Sequence, residues 1–91
     1  MVKSYHCKVQ GGVQGGNFQV WVMDTAQAMG LTGWVRFLSD NQAEILLQGD
    51  LSKCTIFRDK LKEEAPVVDL QKLDCEFIDY DKKHERFALR G

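Results

Sequence analysis

The chain has 91 residues, enough for a single small domain over 1–91, and its 44% hydrophobic and 27% charged residues exclude a disordered chain. A formal net charge of −1, with Lys and Arg spread along the chain, excludes the basic footprint of a nucleic-acid binder. No apolar run approaches the ~20 residues of a membrane helix or the core of a signal peptide, so a cytoplasmic protein without membrane contact is expected.

Tyr5 to Val9 alternate in polarity and run into Gly11-Gly12, which reads as a strand entering a loop. The loop, Gly11 to Asn17, holds four glycines in seven positions, so its backbone can turn freely and approach a ligand closely. A helix should follow, with Asn17 as N-cap and Phe18, Val22, Thr25, Ala26 and Met29 on its apolar stripe. Gly30 is placed to end it.

A hairpin comes next. Thr32 to Leu38 and Ala43 to Gln48 read as strands, and Ser39 to Gln42 as the turn, where Asn41 can take a positive φ. A second helix is expected from Asp50 as N-cap, with Cys54, Phe57 and Leu61 inward and its many charges in solvent. Pro66 closes that segment. Leu73, Cys75 and Phe77 mark a fourth strand, Asp79 to Lys83 a charged turn, and Phe87 and Leu89 a short last strand.

The order β-α-β-β-α-β-β suits an α+β, ferredoxin-like sandwich: an antiparallel five-stranded sheet with two helices on one face. The three cysteines, Cys7, Cys54 and Cys75, form no close pair in sequence. An odd count without metal-ligand spacing points to buried reduced thiols, with neither a disulfide framework nor a metal site. His6 and His84 read as ordinary strand or surface histidines, and Trp21 and Trp34 as packing residues.

A glycine-rich turn between a first strand and a helix N-terminus can converge its amides on an anion. The surrounding pattern is more specific. Val9-Gln10-Gly11-Gly12-Val13-Gln14-Gly15-Gly16-Asn17-Phe18 resembles the acylphosphatase signature V-x-G-x-V-Q-G-V-x-F-R. Ala26 and Gly30-Leu31-Thr32-Gly33-Trp34-Val35-Arg36 fit the family's A-x-x-x-G-L-x-G-W-V-[RK]-N at the right spacing. Asp40, Glu44-Ile45 and Gln48-Gly49 fit its hairpin. The match runs without a gap from Val9 to Gly49.

This resemblance implies a hydrolase of acyl phosphates that needs no metal or other cofactor. The expected ligand is a small anion: phosphate, sulfate or an acyl phosphate. A monomer without nucleic-acid partners is expected. By the resemblance, Gly12, Val13, Gln14, Gly15, Gly16, Asn17 and Phe18 form the anion loop. An arginine after the loop phenylalanine holds the phosphate, and an asparagine after W-V-[RK] positions the attacking water.

At those two catalytic positions this chain has Gln19 and Phe37. Glutamine has no charge and no guanidinium fork, and phenylalanine can neither donate to water nor accept from it. Hydrolysis is therefore expected to be lost or strongly reduced, with anion binding retained; the alternative is a working acylphosphatase with a rearranged site. Arg36, one residue before Phe37 on a strand, should point to the other face of the sheet.

Overall fold

The computed structural model describes residues 1–13 and 17–90. Its elements follow the expected order: β1 (Val2–Gly12), α1 (Asn17–Ala28), β2 (Thr32–Ser39), β3 (Gln42–Gln48), α2 (Leu51–Glu64), β4 (Val68–Tyr80) and β5 (Phe87–Arg90). The strands form one sheet in the order β4-β1-β3-β2-β5.

Both helices lie on one face because each has a single apolar stripe. Phe18, Val22 and Ala26 of α1 and Cys54, Phe57 and Leu61 of α2 are buried. They meet Tyr5, Cys7 and Val9 of β1, Val35 of β2 and Ala43, Ile45 and Leu47 of β3 in one core. These strand residues alternate, as residues sharing one face of a pleated sheet must. Trp21 packs its ring on Phe57, centroids 5.8 Å apart.

Two of the helix ends behave as their sequences indicate, while Asn17, read as the N-cap of α1, is instead its first residue. Asp50 caps α2, its side chain accepting from the Ser52 amide at 2.9 Å. After α1, the Gly30 amide donates to the Gln27 carbonyl and the Leu31 amide to the Ala26 carbonyl, at 3.0 and 2.9 Å, satisfying carbonyls the helix leaves open.

The sheet is mixed, not purely antiparallel. β1 pairs antiparallel with β3 and β4, and β2 antiparallel with β3, but β5 pairs parallel to β2. The reason is the path between β4 and β5. β4 lies at one edge and runs opposite to β1; residues 81–86 then carry the chain to the other edge. β5 must start at the end of the sheet where β4 stopped, which is also where β2 starts.

Two smaller expectations also change. The hairpin turn shortens to Asp40 and Asn41, and Asn41 does not take a positive φ. A register shift between Phe37 and Ser39 accommodates the reversal instead. β4 is longer than expected and reaches Tyr80.

The cysteines give the largest correction. Cys7 and Cys75 are register partners on β1 and β4, with Cα atoms 4.1 Å apart, and their sulfurs form a disulfide. Their sequence separation of 68 hides a pairing that the strand register creates. Cys54 is the free, buried cysteine, and burial, helped by the Asp50 charge, pushes its thiol up to about 11.

Candidate active site

The end of the sheet where β1 stops is organised by three features. β1 ends at Gly12, and Gly11 donates its amide to the Asn41 carbonyl at 2.8 Å, which ties β1 to the β2–β3 turn. Gly11 and Gly12 also let the start of β4 come close. A Cβ on Gly12 would lie 2.9 Å from the Val68 carbonyl oxygen, and one on Gly11 2.8 Å from Val67. Two of the four glycines that read as a ligand cradle therefore have a packing role.

Val13 follows and is fully buried, and Phe18 is 1% exposed. Both belong to the helix-side core, so the loop is anchored in the core at each end. Gln14, Gly15 and Gly16, expected between them as the anion cradle, lie outside the described residues. Asn17 is the first residue of α1 and is exposed, and Gln19 is half-buried in the same turn. That first turn carries no acidic side chain to offset the positive end of the helix dipole.

Phe37 reaches the same end of the sheet on β2. It is half-buried, packs against the core, and pairs with Ala43, which pairs in turn with Val9 of β1. The register thus brings Phe37 to the level where β1 approaches the loop, on the face that α1 covers. Gln19 and Phe37, 18 positions apart in sequence, both stand at the loop end of the domain.

Arg36, Lys8 and His6 stand on the face away from the helices. Arg36 donates through Nε to Glu44 Oε1 at 2.5 Å, and Glu44 Oε2 meets His6 Nε2, also at 2.5 Å. Glu44 is 8% exposed. Burial pushes its carboxyl up, but the hydrogen bonds and charges of His6 and Arg36 outweigh that and lower its pKa. Arg36 is therefore committed away from the loop. The sequence alternation put Arg36, Glu44 and His6 each on a definable face; only the strand register joins them.

The described residues hold no group of three or more His, Cys, Asp or Glu side chains able to bind a metal ion. Among them, no helix is long and apolar enough to cross a membrane.

Similarity to known proteins covers nearly the whole chain. The family profile for acylphosphatase matches residues 5–89. An acylphosphatase of Paraburkholderia xenovorans (strain LB400) is 30% identical over 86 residues, 94% of this chain and 89% of that protein. The crystal structure of acylphosphatase from Bacillus subtilis superposes with a TM-score of 0.87 at 27% identity, covering 99% of this chain and 100% of that one. An acylphosphatase structure from Coxiella burnetii gives a TM-score of 0.86 at 30% identity, covering 97% of this chain and 92% of that one. With its family profile, its sequence relatives and its βαββαββ sheet in agreement, the chain belongs to the acylphosphatase family.

Proposed function

We propose that this domain binds a small oxyanion in its glycine-rich loop but has lost, or retains only weakly, the hydrolysis of acyl phosphates. The observation that carries this reading is the pair Gln19 and Phe37 at the loop end, where the family pattern has an arginine and an asparagine. An acyl phosphate is already activated, so its hydrolysis depends on positioning and charge stabilisation. Charge-assisted hydrogen bonds contribute about 1.5–3 kcal/mol each, so replacing a bidentate guanidinium with an amide costs roughly two to four powers of ten in rate. Phe37 adds an apolar ring where a water must be held. The two effects need not add, because both act on one reacting centre.

Phosphate, sulfate and acyl phosphates are the ligands this reading expects, bound without a metal or other cofactor by a monomer in the cytoplasm. A second reading, a working acylphosphatase with a rearranged site, is favoured by 30–31% identity to relatives that carry the enzyme's name.

Benzoyl phosphate hydrolysis by the purified protein separates the two, with Gln19→Arg/Phe37→Asn assayed in parallel. A silent parent and an active double variant support the first reading. Turnover by the parent at a rate typical of an enzyme overturns it and directs attention to another basic residue.

A further inference from the structure

On the sheet face away from the helices, strand pairing brings two arginines side by side. Arg36 of β2 and Arg90 of β5 are direct register partners. Like charges directly opposite in a sheet repel. Here both guanidiniums settle over one ring: their carbons lie 5.0 and 4.9 Å from the Trp34 ring centroid. β2 and β5 run parallel, and both arginines lie two residues beyond the Trp34–Ala88 pair. They therefore reach the ring from the same end. The π-face offsets part of the repulsion, and the ring is held at 4% exposure.

Glu44 is bonded to Arg36 Nε, and its second oxygen is occupied by His6. Among the described residues, the two terminal nitrogens of Arg36 make no hydrogen bond. Arg90 makes no hydrogen bond or ion pair among the described residues.

Two more nitrogens lack a partner. Among the described residues, the buried side-chain polar atoms without a hydrogen bond are Trp34 Nε1 and His84 Nε2. Both belong to the surroundings of Arg90. Trp34 lies under its guanidinium, and the charges of Lys82 and Arg90 add to burial in lowering the His84 pKa. The chain at 82–84 is held to this face by Gln48, which accepts from the His84 amide and donates to the Lys82 carbonyl, each at 2.7 Å.

We propose that Arg36 and Arg90, on their shared Trp34 platform, form a second anion site for a tetrahedral oxyanion, either inorganic phosphate or a phosphate monoester. A guanidinium fork matches such oxygens in geometry and is weakly hydrated. A carboxylate offers two oxygens, whereas a phosphate offers three or four to donors approaching from different directions. This site lies on the opposite face from Phe37 and Val13, so it does not depend on the loop reading.

Trp34 is the reporter, because the arginines cover it. With Trp21→Phe the chain keeps one tryptophan. Its emission is followed while sodium phosphate or phenyl phosphate is titrated against sodium chloride at equal ionic strength. The expected result is a saturable change with phosphate that weakens roughly tenfold or more in the same background carrying Arg90→Gln, as loss of a charge-assisted fork requires. A response to phenyl phosphate alone assigns the site to esters, and a response to both assigns it to the phosphoryl group. No saturable change, an unchanged response with Arg90→Gln, or an equal response to chloride overturns the proposal. If Trp21→Phe does not fold, the two indole N–H resonances of the unsubstituted protein replace the emission. Phosphate must then shift one of them, and Arg90→Gln must abolish that shift. Phosphate binding that leaves both indoles unmoved and persists in Arg90→Gln belongs to the loop.

Discussion

Cys7 on β1 and Cys75 on β4 face each other in register, with Cα atoms 4.1 Å apart, and join a central strand to the long edge strand through a disulfide. A link between residues 68 apart removes much of the conformational freedom of the unfolded chain. Reduction, or Cys75→Ser, should lower stability by about 2–4 kcal/mol. Urea unfolding with and without dithiothreitol measures this. Unfolded protein should titrate one thiol, Cys54, before reduction and three after it; three thiols without reductant would remove the link from the account.

Acid should weaken the fold in two stages. The His84 pKa is lowered by burial and by Lys82 and Arg90, so the folded state binds fewer protons there than the unfolded chain. Its contribution is present above the ordinary histidine value of 6.5 and is lost as pH falls below it. For Glu44, burial opposes the shift, but His6 and Arg36 prevail and lower the pKa. Its contribution is present above the ordinary value of 4.5 and is lost as pH falls toward the lowered folded value. Urea midpoints measured from pH 8 to pH 3 should fall in both windows. Glu44→Gln should flatten the lower one, and an unchanged acid limb in that variant would contradict the linkage.

Among the described glycines, Gly33 has the closest approach of neighbouring backbone. Its φ is +134°, and a Cβ there would lie 1.9 Å from the Leu46 carbonyl oxygen across the β2–β3 ladder. Neither the strand backbone nor a hydrogen-bonded neighbour can yield at small cost. Gly33→Ala should lower stability by about 3 kcal/mol or more, read as a fall in the thermal midpoint. A loss under 1 kcal/mol would mean that the strand pairing there is looser than the register indicates.

Phe57 tests the helix-side core. It is fully buried on α2 and in ring contact with Trp21. Phe57→Ala should cost about 3–5 kcal/mol through lost burial and the cavity left behind. Phe37→Ala, at a half-buried position, should cost about 1–3 kcal/mol and should not by itself create turnover, because Gln19 still lacks the charge. Chemical denaturation and benzoyl phosphate assays on the two variants check both statements.

Local patterns in the sequence were enough for the order of elements, the stripes of Phe18, Val22 and Ala26 and of Cys54, Phe57 and Leu61, the Asp50 cap and the membership signalled from Val9 to Gly49. Each is a local property: helical and strand periodicity, capping chemistry and motif spacing act over a few residues and survive without knowledge of what packs against them. Folding in three dimensions was needed to show that β5 runs parallel to β2, that Cys7 meets Cys75, that Glu44 is shared by Arg36 and His6, and that Arg36 and Arg90 meet over Trp34. These depend on which strands become neighbours and in what register, which follow from burying both helices on one face and from the path of residues 81–86 between the sheet edges. Alternation assigns a side chain to a face, but it carries no information about which remote strand will lie beside it.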